Sequence, residues 1–408
     1  MSSNDENPLL DVDADAALER FMRLTAIAGR SGEEAGVAAA ITKTLVEAGI
    51  DPAMIVQDDA HERTRLRGDC GNLIVSLPGD ESLPRTMLSA HMDTVPICVG
   101  AKPIQKDDPE LGLIIAAEGE TGLGGDDRAG CAIILTAILE RLRFAAEHPE
   151  TRLPPAVITF LIQEEVGLAG ACHLDAEKIG RVDQAFNFDG GSMNMIRHGA
   201  IGGERMQAVV HGFASHAGAA PEKGVSATVI AAKAIAALHG AGLLGEVDID
   251  GKRGTANVGV IEGGEATNVV TPEVLLRIEA RSHDAEFRGW IVNQIHDALQ
   301  RAATEVTDVK GRCGRIEWSS HVDYEAFALD LDHPSVQAAR YWVGKLGRDP
   351  ICEVANGGLD ANWLFRHGIA AVTLGCGQAM IHTDEEYLVV ADYLDACRLA
   401  SSILVAKS

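Results

Sequence analysis

Ala156-Val-Ile-Thr-Phe-Leu-Ile-Gln-Glu-Glu-Val-Gly167 runs an unbroken apolar and β-branched stretch straight into two adjacent carboxylates. A short apolar run bounded by turn residues and charges reads as a strand buried on both faces, the form that parallel strands take. Two neighbouring carboxylates at the end of such a strand repel each other and lose hydration, so a cation is expected opposite them. With side chains alternating, one of Glu164 and Glu165 would face that cation and the other a water beside it. A solvated loop is the plainer alternative.

The same design recurs along the chain. Residues 86–90 lead into His91-Met92-Asp93, and residues 184–188 lead into Asp189-Gly190-Gly191. Further apolar runs at 72–77 and 370–374 read as core strands, the latter upstream of Ile381-His382-Thr383-Asp384-Glu385-Glu386. Helices are predicted over 16–25, over 33–48 with Gly49 as C-cap, and over 128–142. These elements describe an α/β domain built on a mixed sheet.

The middle of the chain has another rhythm. Strands are predicted at 206–213, 256–261, 274–280 and 315–319, with a helix at 226–238. Phe287, Ile291, Ile295 and Leu299 repeat at helical spacing. That β-α-β-β-α-β order matches a ferredoxin-like sandwich. It is expected as an insert over residues 203–320, with residues 1–202 and 321–408 forming the other domain, and 408 residues suit two domains.

Composition narrows the function. Lys and Arg total 35 against 60 Asp and Glu, a net charge of −25, which repels nucleic acid and anionic membranes alike. No apolar stretch reaches bilayer length. Residues 1–15 are polar and acidic, and read as no signal peptide. The eight cysteines form no C-x-x-C pair and sit mostly in apolar runs, which points to free thiols in a reducing cytosol.

Each remaining island has two readings. In Ser89-Ala90-His91-Met92-Asp93-Thr94, one of His91 and Asp93 could bind metal while the other orients it. In Gly124-Gly125-Asp126-Asp127-Arg128-Ala129-Gly130, a carboxylate could bridge two cations, or simply cap the next helix. Taken jointly, the islands His91/Asp93, Asp126/Asp127, Glu164/Glu165, Asp189 and His382 can supply two imidazoles and three carboxylates. That is a donor set for a pair of zinc ions, with cobalt or manganese as substitutes. The three anionic ligands leave one positive charge, which a bridging hydroxide would neutralise.

On these motifs the chain resembles the peptidase T-like branch of the di-zinc exopeptidase family, over roughly residues 18–402. The resemblance implies that His91 and Asp189 serve one zinc, Glu165 and His382 the other, and Asp126 both. The Asp126–Asp127 bond would be cis, Asp93 would orient His91, and Glu164 would be the general base. It also implies that His216, in Ala214-Ser215-His216-Ala217-Gly218, stabilises the oxyanion from a lid that dimerises. Asn268 and Arg281 would contact substrate. The motifs around Asp126 and Glu164 also resemble the large tetrahedral aminopeptidases, whose second domain lies between the first two motifs. Only 35 positions separate His91 from Asp126, too few for a domain. Two departures from peptidase T stand out: Arg128 where a lysine is common, and a lid reading Ser-His-Ala-Gly. The expected activity is removal of N-terminal residues from short peptides by a cytosolic homodimer. The alternatives are an N-acyl amino acid deacylase or carboxypeptidase, and a non-catalytic metal-binding scaffold.

Overall fold

The computed structural model describes residue 7 and residues 9–406, so part of the polar segment 1–15 lies outside the described residues. The chain divides into two compact units, one of residues 1–199 with 328–408 and the other of residues 200–327.

The first unit is organised around a nine-stranded mixed sheet. Four neighbouring strands are parallel, in the order Ala156–Leu161, Thr86–His91, Gln184–Gly190 and Ala371–Gly375. Leu73–Leu77 flanks them antiparallel to Ala156–Leu161. Every residue of Thr86–His91, Ala156–Leu161 and Ala371–Gly375 is buried, as an apolar strand covered on both faces requires. Because the four strands run the same way, their carboxyl ends share one edge, the position where open α/β sheets bind ligands.

Gly125–Glu147 packs on the strands that carry His91 and Asp189 at their carboxyl ends. Its residues 129–138 are all buried, so this part of the helix is core without a solvent face, and only its last turns reach solvent. It fits closely because Gly130 has no side chain. A Cβ there would stand 2.1 Å from the Phe188 carbonyl oxygen and 2.6 Å from both Asp127 carboxylate oxygens. Helices Ala14–Thr25 and Val390–Val405 lie beside it.

Several elements go beyond the sequence expectation. Pro103–Asp108, Gly112–Ala117, Gln378–Ala379 and Tyr387–Val389 form a separate four-stranded sheet. Its first strand is largely polar and its last two are two and three residues long, too short to read as strands, while Gly112–Ala117 is apolar but only partly buried. Helices Pro334–Lys345 and Val390–Val405 are likewise additions to the expected elements.

The second unit is a five-stranded antiparallel sheet with two helices, Ala227–Gly240 and Ala285–Glu305. Strand alternation buries one face: Met206, Ala208 and Val210 meet Val274, Leu276, Ile278 and Ala280 in one core with Ile230, Ile291 and Ile295 of the helices. Four strands, Lys252–Gly263, Glu273–Ser282, Gly202–His211 and Arg315–Tyr324, have the ferredoxin-like arrangement. The fifth, Gly245–Ile249, adds an edge through a two-residue Asp250-Gly251 hairpin, both residues having positive φ. The unit extends past residues 203–320 because Arg315–Tyr324 stays paired with Gly202–His211 out to Tyr324 and Gly203.

Gly130→Ala should destabilise the chain by about 1–3 kcal/mol, as overpacking of a close helix–strand contact does. Equilibrium denaturant unfolding measures this, and an unchanged midpoint would contradict the close approach.

Candidate metal centre

His91 is the last residue of its strand and is 1% exposed. Its Nε2 lies 3.1 Å from Asp126 Oδ1 and 3.8 Å from Asp189 Oδ1. His382 approaches from a loop, in left-handed backbone at φ 65°. Its Nε2 lies 3.3 Å from Asp126 Oδ2 and 3.0 Å from Glu165 Oε2. Asp126 therefore turns one carboxylate oxygen to each imidazole. Two triads result, His91/Asp126/Asp189 and Asp126/Glu165/His382, each with donor atoms within 4.8 Å of one another. All five residues proposed as ligands come together in this way.

The Asp126–Asp127 peptide is cis, and both residues depart from helical angles although they open the Gly125–Glu147 helix. The two readings of this pair are divided between its members. Asp127 Oδ1 accepts from Gly130 N at 3.0 Å, capping the helix, while its Oδ2 accepts from His91 N at 3.1 Å. Asp126 is left to face the histidines.

Asp93 has a wider task than orienting His91. One of its oxygens lies 3.3 Å from His91 Nδ1, and the same oxygen accepts from Glu164 N at 2.9 Å. The other accepts from Ser31 Oγ at 2.7 Å and Glu165 N at 3.2 Å. One buried carboxylate thus fixes the imidazole and the turn carrying both glutamates. Arg128, also buried, donates to the Gly29 carbonyl oxygen at 2.9 Å and ties the helix to the turn that holds Ser31.

Two acids escape the sequence reading. Glu386 is buried and accepts from Gly124 N at 2.8 Å and Asp126 N at 3.1 Å, holding the glycine loop from behind. In the sequence it is one of three consecutive acids, and nothing there marks it as the buried one. Asp360, the first residue of helix Asp360–Arg366, is fully buried, and neither of its oxygens has a partner among the described residues. Its signal was the Gly357-Gly358-Leu359-Asp360 turn, an acid after a glycine pair like Asp126.

The electrostatics test whether cations fit here. Burial pushes the carboxyls of Asp127, Glu164 and Asp189 well above the carboxylate range, and that of Asp360 up to about 7. Asp126 goes the other way: burial opposes its charge, but hydrogen bonds to His382 and His91 outweigh it. Those to Asp126 and Glu165 raise His382 to about 10. His91 also lies well above its usual value, since its bonds to Asp126 and Asp93 overcome burial. The cluster carries more acid than its two imidazoles can balance. The mixed oxygen and nitrogen donors suit borderline divalent ions.

His216, Asn268 and Arg281 belong to the second unit. His216 Nδ1 accepts from Gly218 N at 3.2 Å and Ala219 N at 3.0 Å, so its proton belongs on Nε2, which is left as a donor. Ala217 N donates to the Asn268 carbonyl oxygen at 2.9 Å, which makes His216 and Asn268 neighbours on paired segments. Arg281 stands on an interior strand rather than a sheet edge, with its guanidinium 3.1 Å from Glu279.

Residues 87–406 match the model of peptidase family M20/M25/M40. The chain belongs to this family. It is 32% identical over 390 residues to the protein YqjE of Bacillus subtilis, covering 95% of this chain and 97% of that one. It is similar to the structure of a tripeptidase from Staphylococcus aureus, with TM-score 0.84, 29% identity, and 96% and 98% of the two chains covered. It is similar as well to that of the aminopeptidase PepT from Bacillus cereus, with TM-score 0.80, 32% identity and the same coverage. The resemblance to the peptidase T-like branch holds, and the chain is a metallo-exopeptidase of mixed α/β fold.

Glu386→Ala should weaken metal binding about 10–100-fold, the usual effect of losing a supporting partner. Chelator competition reads this directly, and unchanged affinity would show that the Gly124–Asp126 loop needs no such support.

Proposed function

We propose that the chain removes N-terminal residues from short peptides, with a pair of zinc ions held by His91, Asp126, Glu165, Asp189 and His382. Cobalt or manganese would be able to replace zinc. The observation that carries this reading is the sharing of Asp126 between His91 and His382 beside a glutamate turn pinned by Asp93. When bound, the ions supply the Lewis acidity that polarises a carbonyl and makes water a nucleophile near neutral pH.

The remaining roles fall to the chain. Glu164 has its backbone fixed by Asp93, and burial gives its carboxyl a high proton affinity. It takes the proton of the attacking water and delivers it to the leaving amine. His216 donates from Nε2 to the oxyanion of the tetrahedral intermediate, its other nitrogen already engaged by two backbone N–H groups. Asn268 and Arg281 contact the peptide, Arg281 through a carboxylate that displaces Glu279 from its guanidinium.

The second unit serves as lid and homodimer contact. No helix among the described residues is long and apolar enough to cross a membrane. Eight free cysteines support a reducing, cytosolic setting.

On metal-loaded protein, free-amine tripeptides should be hydrolysed in preference to N-acetyl and N-succinyl amino acids. Preference for the blocked substrates would instead indicate a deacylase. Glu164→Gln should keep its metal while kcat falls roughly 10²–10⁴-fold; undiminished turnover would remove Glu164 from the base role. His216→Ala should lower kcat about 10²–10³-fold with metal content unchanged. Loss of metal in that variant would make His216 a ligand.

A further inference from the structure

A second group of donors stands behind the glutamate turn, apart from the His91–His382 centre. Glu34, Asp69 and Cys70 each present one donor atom, all within 4.8 Å of one another. Glu34 is fully buried, Cys70 is 3% exposed, and Asp69 faces solvent. Each carboxylate is engaged on one side. Glu34 Oε1 accepts from Gly32 N at 2.8 Å and Gln163 N at 3.1 Å, and Asp69 Oδ1 accepts from Ala35 N at 3.0 Å.

Two buried side chains here have polar atoms without a hydrogen-bond partner among the described residues. Glu34 Oε2 is buried with no hydrogen-bond partner among the described residues. Gln163 is fully buried, and among the described residues neither its amide oxygen nor its amide nitrogen has a partner. Its amide end reaches the loop that carries the other donors: a Cβ on Gly68 would stand 2.8 Å from Gln163 Nε2. Buried polar groups in folded proteins are almost always satisfied, so an unpartnered carboxylate oxygen in a cluster that holds a thiol, with an unpartnered amide against the loop that carries Asp69 and Cys70, points to a bound group.

We propose that Glu34, Asp69 and Cys70 bind a further divalent cation, most suitably zinc, with the Gln163 amide oxygen as its remaining protein ligand. One thiolate, two carboxylate oxygens and one carbonyl oxygen form a four-coordinate set. Bonds of about 2.0–2.3 Å place tetrahedral ligands roughly 3.5 Å apart, so the group needs only a small contraction. Binding replaces the Cys70 proton, which is released to solvent, and the anionic ligands then offset the ion's charge. The amide oxygen is reached by a half-turn of the Gln163 carboxamide, whose two ends are interchangeable in shape.

The site has a structural role rather than a place in the reaction. Glu34 holds the backbone N–H of Gln163, the residue before Glu164, and that of Gly32, which comes directly after the Ser31 bonded to Asp93. A cation fixing Glu34 braces both supports of the glutamate turn. The proposal does not rest on the peptidase reading, because it shares no ligand with the first centre.

Cobalt alone is the probe. The stripped full-length chain is reloaded with Co²⁺, bound metal is counted by mass spectrometry, and the near-ultraviolet spectrum is examined for thiolate-to-cobalt charge transfer. The expected result is a charge-transfer band that disappears in Cys70→Ser together with one equivalent of cobalt. The band should persist in the His91→Ala/His382→Ala double variant. Glu34→Gln should also lose that equivalent, which keeps the test decisive if the Cys70 variant folds poorly. No band in the wild-type chain, or a band and cobalt content unchanged in both Cys70→Ser and Glu34→Gln, would overturn the proposal.

Discussion

The carboxylate of Asp126 stands between two imidazoles that are 291 positions apart in the chain, one oxygen at 3.1 Å from His91 and the other at 3.3 Å from His382. Much of the first unit is arranged to make that possible. Parallel strands ending at one sheet edge deliver His91, Asp189 and the Glu164–Glu165 turn. The buried helix that begins at Gly125 delivers Asp126, but only because its first residues leave helical geometry. Asp127 takes over the cap, and Glu386 holds the loop from the other side.

A cluster so rich in acid would be unfavourable as a mere feature of packing. Carboxylates buried together raise one another's proton affinity, and Asp127, Glu164 and Asp189 all show it. Divalent ions would replace those protons, and the supporting hydrogen bonds already stand where the ligands need them. Asp93 is the clearest case, since it joins His91 to the turn carrying Glu164 and couples ligand geometry to the position of the base.

Much of this is legible in the sequence because parallel strands are written as plain apolar runs, and a polar residue at the end of such a run is conspicuous. His91, Glu164, Glu165 and Asp189 all carry that signal. The separation of Asp126 from Asp127 is not readable: the two side chains are chemically identical, and only the backbone angles distinguish cap from ligand. Glu386 is hidden among neighbouring acids, since burial comes from tertiary packing that local pattern does not encode. In the four-stranded sheet one strand is largely polar and two are only two and three residues long, which leaves little local pattern to read. The edge strand Gly245–Ile249 is also short and half polar, and its local mark is the Asp250-Gly251 pair, a dipeptide suited to a two-residue hairpin turn.

Anomalous scattering at the zinc edge from crystals of the zinc-loaded chain tests the central claim most directly. Two peaks about 3.5–4 Å apart are expected, one bounded by His91 and Asp189, the other by Glu165 and His382, with Asp126 between them. A single peak there, or zinc bound only away from Asp126, would contradict the shared-carboxylate centre.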